Sequence, residues 1–300
     1  MQAVFMQEQG ILPNPLFPIT LSKSAPCVSH QPTGRREGTV KGDGRLRIKV
    51  LGASGSEVPG RNCPAFLVDE TLLLDAGTIG LALNIREESS LKRILLTHAH
   101  FDHIKGIPFL LDNLVVRGTG NTVTVMSGDD VIAAVRNNIF NDLIWPDFTR
   151  IPSPETPVLQ YRALSPPGPM DIDGYQVSLE KVHHTVPAYG YVIASGNGKA
   201  FAYTGDTGPT DRFWEQMSRQ DVQCLIVEVS FPNRLEPIAL ISGHLTPKLL
   251  EREIAKMPRR PARILAMHVK PQHQAEITEE IQALHIPGLE LLMEGAIIDV

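Results

Sequence analysis

Cysteine is scarce in this chain of 300 residues, which has three, namely Cys27, Cys63 and Cys224. They form no Cys-x-x-Cys pair and their number is odd, so the sequence does not predict a disulfide framework. Disulfides persist in oxidising compartments, and a chain without such a framework suits a reducing one. We therefore expect a cytoplasmic protein.

Long apolar runs and an excess of basic residues are lacking as well. No run is long enough to span a bilayer, and no basic segment followed by an apolar stretch opens the chain. These features predict neither a membrane partner nor a secretory signal. The formal net charge is -5 at pH 7, whereas proteins that coat nucleic acids present a basic face. The charge therefore disfavours a nucleic-acid partner, but it allows a phosphate substrate if bound cations supply positive charge.

The composition, with 42% hydrophobic and 20% charged residues, is that of a soluble globular protein. Residues 1–44 show no sustained periodicity, so we predict a flexible N-terminal extension there and one catalytic domain over residues 45–300. Predicted strands cover residues 46–51, 65–68, 72–74, 94–96, 123–126, 177–179, 191–193, 201–203, 225–229 and 264–267.

Helices are predicted between and after the two groups of strands. Apolar residues recur at helical spacing over 104–114 and 131–139, and again near residues 277–284. Ser127 or Asp129 is expected to cap the second of these helices, and Thr246 followed by Pro247 is typical of a further helix start. The proline-rich residues 146–169 are predicted to form an ordered surface excursion. Strands in two groups with helices around them favour an α/β fold of αββα type.

Three histidines and one aspartate follow the buried strand at 94–96 within six positions. They are His98, His100, Asp102 and His103. Neutral imidazoles and carboxylates are ligands for zinc and similar divalent ions. A strand end can point the first two histidines to one side, and the turn into the next helix can present the other two residues to a second point nearby. The motif therefore predicts two metals in one cleft.

The pattern His-x-His-x-Asp-His is the signature of the metallo-β-lactamase superfamily, which this chain resembles. Four further segments are similar to the rest of the family pattern, and they are Asp75–Gly77, His183–Tyr191, Thr204–Thr207 and Met267–Pro271. The resemblance runs from Leu46 to Lys270, which is most of the chain. It implies the four-layer αββα sandwich of that superfamily.

The resemblance also implies a ligand set for two divalent metal ions, with zinc expected and manganese or iron as alternatives. One ion is assigned to His98, His100 and His184, the other to Asp102, His103 and His268, and Asp206 is expected to bridge them. His184 is preferred to His183 because its spacing to Gly190–Tyr191 resembles that of the nuclease branch. Asp75 is expected to orient a ligand histidine.

Three segments resemble those of class II cyclic-nucleotide phosphodiesterases, and they are Phe140–Pro146, Ser242–Pro247 and His268–Pro271. The substrate implied is a small-molecule 3′,5′-cyclic nucleotide, with cAMP expected and cGMP as the alternative, hydrolysed to the 5′-monophosphate. The sequence departs from the pattern at Phe101, where leucine is more familiar, and at Gly52–Ser56, which lacks a double glycine. These departures concern loop shape and leave the ligand set intact.

The mechanism implied is attack on phosphorus by a hydroxide that bridges the two metals. His244 is expected to protonate the departing ribose oxygen, with support of the adjacent helix cap as its alternative role. Glu228 is expected to orient His244, although a structural hydrogen bond would also explain a carboxylate after a buried strand. Phe140, Trp145 and Phe231 are aromatic residues that could stack on the base or pack in the core, and Lys270 could meet phosphate or lie in solvent.

Three other functions are compatible with the same fold. A tRNase Z-like nuclease shares nearly all of the metal set, but its common bacterial form carries a long arm where this chain has a short hairpin near Gly196–Gly198. A hydrolase of thioesters or lactams lacks the Ser242–Pro247 stretch. A non-catalytic scaffold need not keep every ligand. The sequence allows a homodimer without predicting one.

Overall fold

The computed structural model describes residues 45–166 and 168–300. The predicted N-terminal extension lies outside the described residues. Within the described part, fourteen strands and eight α-helices follow one another along the chain, and none of the helices is long and apolar enough to cross a membrane.

The strands are β1 (Arg47–Gly52), β2 (Ala65–Val68), β3 (Leu72–Leu74), β4 (Arg93–Leu95), β5 (Val123–Ser127), β6 (Leu159–Ala163), β7 (Met170–Ile172), β8 (Tyr175–Lys181), β9 (Tyr189–Ala194), β10 (Lys199–Tyr203), β11 (Asp221–Glu228), β12 (Arg263–Met267), β13 (Leu289–Leu291) and β14 (Ile297–Asp299). The helices are α1 (Ile85–Ser90), α2 (Phe101–Ile104), α3 (Gly106–Val116), α4 (Asp129–Asn138), α5 (Arg212–Met217), α6 (Glu236–Ser242), α7 (Pro247–Ala255) and α8 (Gln274–Ala283).

Two seven-stranded sheets, each part antiparallel and part parallel, form the centre of the fold. The first has the order β14-β1-β2-β3-β4-β5-β6, and its strands run parallel from β3 to β6. The second has the order β13-β12-β11-β10-β9-β8-β7, and its strands run parallel from β10 to β13. Parallel strands end at the same edge of a sheet, so each sheet presents several carboxyl ends side by side.

The alternation of side chains along β10 shows how the layers pack. Phe201 and Tyr203 join the core between the sheets, where the Tyr203 ring meets Phe66 of β2 at 5.0 Å. Ala200 and Ala202 face the other way, into a second core that contains Trp214 of α5. Because successive residues of a strand point to opposite faces, β10 contributes to both cores. This arrangement is the predicted αββα sandwich.

Most predicted elements are present, with shifted ends. Thr246 caps α7 by accepting a hydrogen bond from the Leu249 amide, as the Thr-Pro pair predicts. The predicted cap of α4 is wrong, because Gly128 occupies the N-cap position without a side-chain hydrogen bond. The proline-rich excursion contains β6, whose parallel pairing with β5 extends the first sheet. The sequence did not predict this strand, because the prolines around it favoured an irregular excursion, although Leu159 and Tyr161 alternate with Gln160 and Arg162.

Candidate binuclear metal centre

The segment after β4 is held in place by one buried carboxylate, Asp75. Its oxygens accept hydrogen bonds from the Thr97 amide at 2.8 Å, from the Thr97 hydroxyl at 2.9 Å and from the Tyr203 hydroxyl at 2.7 Å. Nδ1 of His103 donates to the same group at 2.7 Å. That donor fixes the tautomer of His103 and leaves its Nε2 lone pair free for a metal.

One candidate metal position lies among four side chains whose ligand atoms are within 4.8 Å of one another, and they are His98, His100, His184 and Asp206. Nδ1 of His184 is 2.8 Å from the Gly243 carbonyl oxygen, to which it must donate because a carbonyl cannot. Nε2 of His184 then carries a lone pair and faces Nδ1 of His100 at 3.1 Å. Two ring nitrogens that converge in this way suit a shared cation.

A second candidate position shares Asp206 with the first, and its members are Asp102, His103, Asp206 and His268. Nε2 of His268 lies 3.4 Å from Oδ2 of Asp102 and 3.3 Å from Oδ2 of Asp206. His268 has a φ of +65°, which is uncommon for a residue other than glycine. Its Nδ1 contacts the Ser230 hydroxyl at 2.8 Å. Asp206 therefore lies between the two positions.

Three buried polar atoms at the centre have no hydrogen-bond partner within the described residues. They are Nε2 of His98, Nε2 of His103 and Oδ1 of Asp206. The last two lie 3.3 Å apart without hydrogen-bond geometry. Buried polar groups are otherwise almost always paired, because an unsatisfied one loses its interaction with water. Nitrogen and carboxylate ligands of this kind fit divalent cations of the zinc type.

The electrostatics of the centre differ from one candidate ligand to the next. Burial lowers the pKa of His98, His100 and His184, so these imidazoles stay neutral. Burial acts to raise the pKa of Asp206, but the neighbouring His268 and His103 outweigh it and hold that pKa well below its usual value. Burial acts to lower the pKa of His103, but the charges of Asp206 and Asp75 outweigh it and raise that pKa, so a cation bound there would displace the proton of His103.

A third cluster borders the second metal position and contains Glu228, Ser230 and His244. Nδ1 of His244 lies 2.7 Å from Oε1 of Glu228, and the Ser230 hydroxyl donates to Oε2 of Glu228 at 2.9 Å. The amide of Thr207 also donates to Glu228, at 3.1 Å. His244 is 8% exposed and stacks on His268 with ring centroids 5.5 Å apart. The pair is thus held beside the candidate ligand His268, and His244 is its more exposed member.

The remaining residues proposed for the site lie in different surroundings. The side chain of His183 is exposed and belongs to none of the metal-ligand groups found among the described residues. Phe140 is buried in the core and packs on Phe148, so it cannot stack on a ligand. Phe231 packs against His244 with centroids 5.7 Å apart. Nζ of Lys270 donates to the Gly55 carbonyl at 2.5 Å.

Ser230 is the site residue that sequence reasoning missed. Its hydroxyl contacts Nδ1 of His268 and also Glu228, so it connects the third cluster to the second metal position. The available signal was its place two residues after Glu228 at the end of β11, which points both side chains to the same side of the strand.

The fold and the paired histidine and aspartate clusters define a member of the metallo-β-lactamase class. The chain matches the family model of the beta-lactamase superfamily domain over residues 71–269, and it belongs to that family.

The chain is also similar to two relatives and to one solved structure. It is 25% identical over 233 residues to a probable 3′,5′-cyclic-nucleotide phosphodiesterase of Yersinia pestis, covering 68% of this chain and 66% of the relative. It is 32% identical over 157 residues to a ribonuclease Z of Bradyrhizobium diazoefficiens, covering 49% of this chain and 50% of the relative. Unliganded yeast PDE1 superposes with a TM-score of 0.72 at 18% identity, covering 84% of this chain and 98% of that one. The chain thus spans between half and two thirds of these two relatives.

Proposed function

We propose that the chain is a binuclear-metal phosphodiesterase that hydrolyses 3′,5′-cyclic nucleotides to 5′-monophosphates, with cAMP as the expected substrate and cGMP as the alternative. The catalytic domain comprises residues 45–300. The observation that carries the proposal is the geometry around Asp206, which is shared by two groups of metal ligands and lies close to the Glu228–His244 pair. The name of the Yersinia pestis relative supports this substrate class.

Divalent cations bound by the two groups would supply positive charge against the phosphate oxygens and lower the pKa of water. His98, His100 and His184 would hold one cation, Asp102, His103 and His268 the other, and Asp206 both. Asp75 keeps Nε2 of His103 turned towards this centre. The zinc type of cation suits this donor set, and manganese or iron is also compatible with it.

In this proposal His244 protonates the ribose oxygen that leaves phosphorus. Burial acts to lower the pKa of His244, but the charge and hydrogen bond of Glu228 outweigh it and raise that pKa. Glu228 engages Nδ1 of the imidazole, so the proton on Nε2 is the one available to the substrate. An alkoxide is a poor leaving group and gains from such a donor.

A nuclease of the ribonuclease Z type is the second candidate, supported by the name of the Bradyrhizobium diazoefficiens relative. The segment between His184 and Asp206 supports the cyclic-nucleotide phosphodiesterase over the nuclease. It is 21 residues long, and most of it is used by the antiparallel pair β9 and β10 with the turn at Ser195–Gly198. No length is left there for an arm that grips a large RNA, which favours the small substrate.

The test is hydrolysis of cAMP, cGMP, bis(p-nitrophenyl) phosphate and a precursor tRNA by the metal-loaded protein, with Asp206→Ala as the control. We expect metal-dependent release of the 5′-monophosphate, absent in the control. Cleavage of the precursor tRNA without turnover of either cyclic nucleotide would replace the proposal by the nuclease. Retention of metal without hydrolysis of any of these substrates would refute the proposal and indicate a non-catalytic metal-binding scaffold.

A further inference from the structure

The hydroxyl of Ser230 lies where the third cluster meets the second metal position. Its Oγ is 2.9 Å from Oε2 of Glu228, 2.8 Å from Nδ1 of His268 and 3.1 Å from Nδ1 of His244. Ser230 is fully buried, so its hydroxyl depends on these neighbours for hydrogen bonds. A hydroxyl has one proton to donate and therefore cannot donate to all three.

The backbone of Ser230 joins the two segments that carry the histidines. Its amide donates to the Leu245 carbonyl at 3.1 Å, next to His244. Its carbonyl accepts from the Lys270 amide at 3.4 Å, two residues after His268. A Ser230→Ala variant keeps both of these bonds and loses only the hydroxyl. The role of the hydroxyl can therefore be separated from that of the backbone.

One of the three neighbours cannot accept the proton of the hydroxyl. Nδ1 of His244 lies 2.7 Å from Oε1 of Glu228, and a carboxylate oxygen accepts a hydrogen bond but does not donate one. Nδ1 of His244 therefore carries a proton of its own. The Ser230 proton is left with two acceptors, Oε2 of Glu228 and Nδ1 of His268.

The tautomer of His268 decides between these two acceptors. A neutral imidazole carries one proton, on Nδ1 or on Nε2. Nε2 of His268 faces the carboxylates of Asp102 and Asp206 at 3.4 and 3.3 Å. Binding of a cation needs the lone pair of this Nε2, so the proton then lies on Nδ1 and is donated to Ser230. Ser230 in turn donates to Glu228.

The other tautomer of the neutral ring reverses these hydrogen bonds. A proton on Nε2 of His268 is donated to the carboxylates, and Nδ1 then accepts from Ser230. Oε2 of Glu228 loses its donor at 2.9 Å and keeps the weaker bond from the Leu245 amide at 3.3 Å. The carboxylate that orients His244 is then held by one hydrogen bond fewer.

We propose that the Ser230 hydroxyl is a positioning group that couples cation binding at the second metal position to the orientation of the Glu228–His244 pair. Use of Nε2 of His268 by a cation sets the direction of the bonds from His268 to Ser230 and from Ser230 to Glu228. Coupling between two sites is reciprocal, so the bond from Ser230 to Glu228 also strengthens cation binding. The inference rests on the proposed function only for the identity of His244 as the proton donor.

A double-mutant cycle on cation affinity tests the coupling without any turnover. A competing chelator is titrated at about pH 8, where an imidazole is ordinarily neutral. The proteins are the wild type, Ser230→Ala, Glu228→Gln and the variant with both changes. The binding step that His268→Ala abolishes is the one that belongs to the second position.

The charge of Glu228 acts on a cation through space with or without the hydroxyl, whereas the hydrogen-bonded route needs the hydroxyl. We expect Ser230→Ala and Glu228→Gln each to lower the affinity roughly tenfold. In the Ser230→Ala background, Glu228→Gln should lower it by no more than roughly threefold. Ser178→Ala is the matched control, because Ser178 is also fully buried and hydrogen-bonded, to Gln220, but belongs to no metal-ligand group. It should leave the affinity unchanged.

Turnover of two substrates provides the second readout. At saturating metal, Ser230→Ala should lower kcat for cAMP roughly tenfold, because the proton donor is less well oriented. The rate with bis(p-nitrophenyl) phosphate should change much less, since nitrophenolate leaves without protonation. A merely structural role of Ser230 would lower both rates alike.

The outcomes separate this inference from the proposed function. A non-additive cycle in a protein that hydrolyses no cyclic nucleotide would support the coupling and refute the proposed function. Equal effects of Glu228→Gln in both backgrounds, with cAMP still hydrolysed by the wild type, would overturn the coupling alone. Unchanged cation affinity in a folded Ser230→Ala variant would overturn it as well.

Discussion

Glu228 and His244 form a buried pair at the edge of the metal centre, with Oε1 of the carboxylate 2.7 Å from Nδ1 of the imidazole. Glu228 is fully buried and also accepts hydrogen bonds from the Ser230 hydroxyl and the Thr207 amide. Because three groups hold the carboxylate, the orientation of the imidazole is set before a substrate arrives. If His244 is the proton donor that we propose, it needs no rearrangement to deliver the proton from Nε2.

We predict that His244→Ala lowers kcat for cAMP by about 10²–10⁴-fold, the range typical of a general acid, while both metal ions stay bound. The loss should be much smaller for bis(p-nitrophenyl) phosphate, since nitrophenolate leaves without protonation. Metal content and both rates are measured on the same preparation. Near-normal turnover of cAMP by the metal-loaded variant would refute the role of His244 as the proton donor.

The bridging position of Asp206 leads to a prediction about metal binding. Asp206 is 1% exposed and its carboxylate lies within reach of His98, His103 and His268. Asp206→Ala should therefore weaken both cation positions together, which elemental analysis after dialysis would show. Cations that bind only the folded state stabilise it more the more tightly they bind. The melting temperature of the wild type should therefore fall when the metal is chelated, and the melting temperature of the variant should fall less. Loss of one ion with tight retention of the other would contradict a bridging role.

The choice between His183 and His184 can be tested by comparing their alanine variants. Nε2 of His184 faces His100, whereas the His183 side chain is exposed. We expect His184→Ala to lose metal and His183→Ala to retain it. Greater metal loss in His183→Ala would reverse the assignment.

Much of the fold and the identity of the clustered residues could be predicted from local patterns. The apolar run at 94–96 followed by the histidine motif predicts β4 and the loop that carries His98, and Thr246 with Pro247 predicts the start of α7. Strand β6 was not predicted although Leu159 and Tyr161 alternate with polar residues, because the surrounding prolines favoured an irregular segment. An apolar cavity brings together side chains far apart in the chain, such as Thr78 and Trp145, and no local pattern connects them.

Asp75 supports the second metal position without belonging to either ligand group. Its carboxylate orders Thr97, His103 and Tyr203 through five short contacts of 2.7–3.0 Å. Asp75→Asn removes the acceptor for at least one of these donors and lets His103 turn. Mutation of a residue that hydrogen-bonds a metal-binding histidine typically lowers metal affinity by about 10–100-fold. Titration with a competing chelator measures this change, and unaltered affinity in a folded variant would contradict the role.

Gly77 packs closely against the turn that carries Asp102. A Cβ atom at this position would lie 1.9 Å from the Asp102 carbonyl oxygen and 2.7 Å from Cβ of Cys63. Both neighbours are fixed by the backbone, so Gly77→Ala has to displace the turn that carries Asp102. We expect a lower melting temperature and weaker metal binding in this variant. Gly196→Ala is the matched control, because no atom lies within 4 Å of a Cβ atom there and its φ is not positive. If both variants melted and bound metal alike, close packing at Gly77 would not be what holds the Asp102 turn in place.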